Sequence, residues 1–122
     1  MVECKICGRQ GAQLHHIVHR SAAPYMSNIK INFKYLCLEH HTGNEGPHNN
    51  KSIDIEYKLE LQKKLFELFQ EKDFYTSNEI KEKLETTPKE VRKLVKTLKV
   101  NTEGYSKLDL IIHMMGDKLY AK

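Results

Sequence analysis

Two short motifs built from cysteine and histidine set the terms on which the first half of this chain can fold. Cys4 and Cys7 form C-x2-C followed by Gly8, and Cys37 with His40 forms C-x2-H 30 residues after Cys7. That is the spacing of a structural zinc site, in which two knuckles each give two ligands at tetrahedral angles. All three Cys and six of the seven His lie in residues 1–48, a segment with only three acidic residues, whereas the remainder has one His, no Cys, and alternates Lys with Glu. Such a shift in composition implies two units. A unit of about 50 residues is too small to bury a core of its own. Zinc held by Cys4, Cys7, Cys37 and His40 would supply the staple, because about 10 kcal/mol or more of apparent metal affinity becomes folding energy when only the folded form binds. The plainer reading is three reduced thiols that act as small core side chains. Three Cys cannot pair completely as disulfides, and a cytosolic chain would not keep them oxidised.

At 122 residues the chain is one domain or two small ones, which excludes large multidomain enzymes. It has no uninterrupted apolar run near the roughly 18 residues that a membrane helix needs. Its first residues, MVECKICGRQ, lack a basic segment followed by an apolar one. These features predict a soluble protein of the cytoplasm with no membrane partner. The net charge of +4, from 20 Lys and Arg against 16 Asp and Glu, permits a nucleic-acid partner without requiring one.

Between the knuckles, Leu14-His15-His16-Ile17-Val18-His19-Arg20 reads as a short strand carrying two adjacent histidines. Neighbouring strand residues point to opposite faces, so His15 and His16 divide two jobs, one on a metal and one on a substrate. Asn32-Phe33-Lys34-Tyr35-Leu36-Cys37 gives a second strand leading into the second knuckle. The following segment, residues 40–50, is rich in imidazole and amide groups and has Glu45 as its single carboxylate.

The order H-H-I, then N-F-x-x-L-C-x-x-H-H, then G-P-H-N-N resembles the HNH endonucleases, especially the small zinc-stapled versions encoded by bacteriophages and prophages. The resemblance covers residues 3 to about 50. It implies a ββα-metal site that cuts phosphodiester bonds in DNA, expected to be double-stranded, in the host cytoplasm if the chain is phage-encoded. It implies His16 as general base, with Asn32 bracing the loop and orienting that base. His15 and His41 match metal-ligand positions for a second divalent ion, Mg²⁺, Mn²⁺, Ni²⁺ or Zn²⁺. The third ligand is His48 or its rival Asn44; Gly43, Gly46 and Pro47 disfavour a regular helix there, so a loop must return His48 to the metal. The chemistry is consistent, since an imidazole with an ordinary pKa near 6.5 takes a proton from water near neutrality. A divalent ion polarises the phosphate and stabilises the leaving 3′ oxygen. Arg20 has the fork that matches phosphate oxygens. His19 reads as a surface or phosphate-facing group rather than a ligand.

In the second half, Ile53, Tyr57, Leu61, Leu65, Leu68 and Phe69 mark one face of a helix. Thr76-Ser77-Asn78-Glu79 and Thr87-Pro88-Lys89-Glu90 read as capping boxes, each opening a further helix, the second running to about Leu98. Two helices joined at Glu85-Thr86-Thr87 have helix-turn-helix dimensions. In the second of them Val91, Leu94, Val95 and Leu98 share one side, while Lys89, Arg92, Lys93, Lys96 and Lys99 occupy the other, the separation a recognition helix needs for phosphates and base edges. Asn101-Thr102-Glu103-Gly104 reads as a turn, with Ser106 capping and Gly116 stopping a last helix.

The expected fold class is α+β: a small zinc-stapled ββα-metal domain in residues 1–52, followed in residues 53–122 by a helical helix-turn-helix or winged-helix-like domain that binds DNA. The rival from a different class is a catalytically inactive zinc-finger and helix-turn-helix DNA-binding protein. A third reading is an interaction protein whose basic helix binds an acidic protein surface. The sequence leaves the oligomeric state open.

Overall fold

The computed structural model describes residues 2–121. Those residues form a small α+β protein with five α-helices and two small antiparallel sheets. The first sheet pairs β1 (Gln13–His16) with β2 (Phe33–Leu36), setting Gln13 opposite Leu36 and His16 opposite Phe33. The expected strand through Arg20 stops at His16 for a local reason. Asn32, fully buried, accepts from the Val18 amide at 2.8 Å through Oδ1 and donates Nδ2–H to the Val18 carbonyl at 3.1 Å. One side chain thus satisfies backbone groups that a longer strand would have paired. The chain between β1 and β2 folds inward through two 3₁₀ turns, Pro24–Met26 and Lys30–Asn32, burying Ile17, Val18, Ala23, Met26 and Ile29.

A single helical turn, α1 (Leu38–His41), follows β2 with Cys37 at its N-cap. The loop after α1 doubles back on it so tightly that a Cβ at Gly46 would collide with the His41 carbonyl. Only glycine permits that approach, and it brings His48 back over the helix.

Asn50 then caps α2 (Lys51–Leu68), accepting from the Ile53 amide at 3.3 Å. Tyr57, Leu61, Leu65 and Phe69 are buried along it at steps of four, the period of one helix face. After it come β3 (Phe74–Tyr75), α3 (Ser77–Leu84), α4 (Pro88–Val95), β4 (Val100–Asn101), β5 (Gly104–Ser106) and α5 (Lys107–Met114). The second sheet has the order β3-β5-β4, so the last strand lies in the middle. Thr76 and Glu79 form the expected capping box at α3. At α4 only half of one forms: Thr87 Oγ1 accepts from the Glu90 amide at 3.3 Å, while the Glu90 carboxylate faces Lys93 Nζ at 3.7 Å. Ser106 caps α5.

The change in composition near residue 52 does not coincide with a gap in packing. One apolar cluster runs from Cys4, Val18, Met26 and Leu36 through Leu61 and Phe69 to Leu94, Ile111 and Met115. Across the two halves, Tyr25 stacks on His113 with ring centroids 4.0 Å apart and donates its hydroxyl to the His113 carbonyl at 2.6 Å. Lys34 lies 4.3 Å from the centre of the Tyr57 ring and pairs with Glu60 at 3.1 Å. The first half therefore shares apolar burial with the second and does not rest on its cysteine-histidine set alone. Because the core is common to both halves, the zinc-loaded protein is expected to unfold in one cooperative transition, followed by circular dichroism and tyrosine fluorescence together. Two separated transitions would show that the halves fold independently.

Candidate functional site

Two clusters of donor atoms share α1, which gives His40 to one and His41 to the other. In the first, Cys7 Sγ lies 3.7 Å from Cys37 Sγ, and His40 Nδ1 lies 3.3 Å from Cys37 Sγ and 3.7 Å from Cys4 Sγ. Around a zinc ion with bonds of about 2.3 Å to sulfur and about 2.0 Å to nitrogen, tetrahedral edges are about 3.8 Å between sulfurs and about 3.5 Å from sulfur to nitrogen. The four side chains thus stand where the corners of such a site belong, and could hold a metal ion such as zinc. The first knuckle is shaped by Gly8, whose φ of +77° suits glycine, and by the Ile6 amide, which donates to Cys4 Sγ at 3.4 Å. Burial raises the Cys4 thiol, but amides at Cys37, Cys7 and Ile6 outweigh that effect and bring it down to about 6, toward the thiolate that binds metal.

The second cluster is made of imidazoles. His41 donates Nδ1–H to Gln13 Oε1 at 2.8 Å, which leaves a lone pair on its Nε2, 3.0 Å from His48 Nε2. His15 is only 2% exposed, and its Nε2 has no hydrogen-bond partner among the described residues. The donor atoms of His15, His41 and His48 all lie within 4.8 Å of one another. Nitrogens on one ion at bonds of about 2.0 to 2.1 Å stand about 2.9 to 3.4 Å apart; the His41–His48 pair has that spacing, and the three together could hold a metal ion. Burial, with His41, His48 and His19 close by, holds His15 down to about 3, and His41 is lowered by burial and His48. Both are neutral near pH 7, the form that ligates metal.

His16, next along β1, is not one of the three clustered imidazoles. Its Nε2–H donates to the Ser27 carbonyl at 2.9 Å, and its ring packs edge-on against Phe33 with centroids 5.6 Å apart. With Nε2 carrying the hydrogen, the neutral ring keeps its lone pair on Nδ1. Asn32 supports the acceptor side: besides gripping Val18, its Nδ2 approaches the Met26 carbonyl at 3.4 Å, one residue before Ser27. His15, His16, His19, His41 and His48, with Arg20 at the rim, line a cleft of about 330 Å³. No protein-family model, curated protein or solved structure matches this chain.

Of the two rivals for the third imidazole-site position, His48 lies against His41, while Asn44 is exposed in the loop and does not line the cleft. Two participants escape a reading of the sequence. Gln13 fixes the His41 tautomer, and the available signal was its place two residues before His15, on the same face of a strand. Asp54 comes from the first turn of α2 and lies 3.2 Å from His19 Nε2; nothing in the spacing connects residues 19 and 54. On α4, Lys89, Arg92, Lys93 and Lys96 are exposed while Val91, Leu94 and Val95 are buried, and the basic residues border a broad shallow surface with Ser77 and Tyr105.

The depressed His15 imidazole ties stability to pH. Above its ordinary value of 6.5 the ring is neutral whether folded or unfolded; between 6.5 and about 3 the unfolded chain takes up a proton that the folded protein refuses. Without a second ion, stability contributed by this group is expected to fall by about 1.4 kcal/mol per pH unit as pH drops below about 6.5. Urea unfolding across that range is expected to give a shallower pH dependence for His15→Gln than for the wild type. Equal slopes would place His15 in a solvated setting.

Proposed function

We propose that this chain is a metal-dependent endonuclease of the HNH type, hydrolysing phosphodiester bonds in DNA, with zinc at Cys4, Cys7, Cys37 and His40. The observation that carries this reading is the convergence of His15, His41 and His48 around an unpartnered buried nitrogen, beside a His16 whose tautomer leaves Nδ1 free to accept a proton. A divalent ion held by those three imidazoles would polarise the phosphate and stabilise charge on the leaving 3′ oxygen.

The remaining work falls to the chain's own groups. His16 Nδ1 accepts the proton of the attacking water, and the Ser27 carbonyl steadies the imidazolium that results through the Nε2–H bond. Asn32 is a positioning residue: it holds Val18 and Met26, and through them the loop that carries Ser27. Arg20 at the cleft rim offers a fork to a neighbouring phosphate.

The C-terminal half supports a DNA-holding role of helix-turn-helix or winged-helix kind. α3 and α4 meet at a tight turn with Glu85 at φ 52°, α4 is basic on its exposed side, and the β4–β5 hairpin follows as a wing.

Two outcomes test this reading. Supercoiled plasmid incubated with Mg²⁺, Mn²⁺ or Ni²⁺ is expected to be nicked or cut, with His16→Ala lowering the rate by about 10² to 10⁴ while zinc content and DNA affinity stay unchanged. A His16→Ala protein that cuts at the wild-type rate removes His16 from the mechanism, and a wild type that never cuts favours an inactive DNA-binding protein. Replacing Arg92, Lys93 and Lys96 by Gln is expected to weaken binding and lower the log-log salt slope by about 0.9 for each phosphate that is no longer neutralised. An unchanged slope would mean that this face of α4 is merely solvated.

A further inference from the structure

The loop that orients His16 is gripped from the C-terminal half. The Ser27 carbonyl, which accepts from His16, directly follows the 3₁₀ turn Pro24–Met26; Met26 N–H donates to the Ala23 carbonyl at 3.0 Å and Ser27 N–H to the Pro24 carbonyl at 3.1 Å. Tyr25 is the middle residue of that turn. Its ring lies on the His113 ring of α5 at an interplanar angle of 10°, with centroids 4.0 Å apart, and its hydroxyl donates to the His113 carbonyl at 2.6 Å. The His113 ring is itself fixed, because its Nδ1–H donates to Asp117 Oδ1 at 2.8 Å. Burial, with the Asp117 carboxylate nearby, pushes the Tyr25 hydroxyl up to about 12, so it stays a donor near neutrality.

Two further contacts bear on the same loop. α4 packs against the Pro24–Met26 turn. Just past α5, a Cβ at Gly116 would stand 3.4 Å from Val18 Cγ1 and 3.5 Å from Ala22 Cβ, so the end of that helix lies against the other limb of the loop. The polar anchor that Asn32 supplies at the Met26 carbonyl is long, 3.4 Å, beside the 2.6 Å bond of Tyr25.

We propose that Tyr25 is a positioning residue for the proposed reaction: held on His113, it sets the turn that presents the Ser27 carbonyl to His16, so the C-terminal half completes the setting of the base. This rests on the nuclease reading of His16. A shift of about 1 Å in that carbonyl would take the 2.9 Å bond out of hydrogen-bonding range. The neutral ring would then have no partner that selects Nε2–H, and its hydrogen would populate Nδ1 as well. Whenever it did, the nitrogen that takes the proton of water would have no lone pair to offer. Such a loss falls on the chemical step and not on DNA affinity.

The test pairs NMR with kinetics on the zinc-loaded full chain. Long-range proton–nitrogen spectra of the histidine side chains report which ring nitrogen carries the hydrogen. Wild-type His16 is expected as the Nε2–H tautomer and Tyr25→Ala as a mixture, with zinc content and DNA affinity unchanged. In plasmid cleavage with Mg²⁺, Mn²⁺ or Ni²⁺, Tyr25→Ala is expected to lose about 10- to 100-fold in kcat at an unchanged KM. Tyr25→Phe, which keeps the stack, is expected to recover most of that loss. A folded Tyr25→Ala protein in which kcat is unchanged, or in which His16 keeps the wild-type tautomer, overturns the proposal. If Tyr25→Ala fails to fold, Tyr25→Phe combined with His113→Gln removes the hydroxyl bond and the stack while keeping bulk at residue 25, and a wild-type His16 spectrum there overturns it. A wild type that cuts no DNA removes the nuclease reading instead, and the hold of Tyr25 on His16 is then decided by the spectra alone.

Discussion

A buried polar atom left without a partner costs about 1 to 3 kcal/mol, and His15 Nε2 stands in that position near the centre of the N-terminal half. Much of the local architecture serves to keep it there. β1 carries His15 inward, the tight loop at Gly46 returns His48, Gln13 turns the lone pair of His41 toward the same point, and α2 brings up Asp54 behind His19. His41 and His48, from α1 and the loop after it, do not gather beside a buried unpartnered His15 nitrogen for the sake of packing, because apolar residues would fill that space at lower cost. On the proposed reading a cation would be the partner of that nitrogen, and this is the physical root of the proposed metal-dependent chemistry.

The proposed division of labour between the adjacent histidines rests on the same geometry. His15 is deeply buried and held neutral, the state of a ligand; His16 is half-buried, hydrogen-bonded to a carbonyl through one nitrogen and free at the other, the state of a base. Asn32 makes that distinction durable by substituting its amide for a strand partner at Val18, which ends β1 at His16 and fixes the loop carrying Ser27. The end of β1 and the path of the loop carrying Ser27 are thus set by one buried side chain.

Local signals in the sequence are strong wherever a single element carries them. The spacing of the cysteines, the caps at Thr76, Thr87 and Ser106, and the four-residue period from Tyr57 to Phe69 all report interactions within a few residues, and the corresponding helices and knuckles lie where those signals put them. What eludes the sequence depends on chain paths that bring distant residues together. His19 reads as a surface group until α2 sets Asp54 beside it, and the composition break near residue 52 conceals a core that runs from Met26 and Leu36 to Leu94 and Ile111. Glu90 shows a subtler limit: its spacing suits a capping box, but Lys93 one turn on competes for its carboxylate.

On the proposed reading, the first half is organised around two metal centres of different chemistry, one thiolate-rich and one imidazole-rich. Anomalous diffraction from crystals of the full chain grown with Ni²⁺, recorded at the zinc and nickel absorption edges, separates the two centres by element and by place. A zinc peak enclosed by Cys4, Cys7, Cys37 and His40 is expected, with a separate nickel peak against His15, His41 and His48. A single peak at the cysteines, with the imidazoles surrounding only water, would contradict the two-centre organisation.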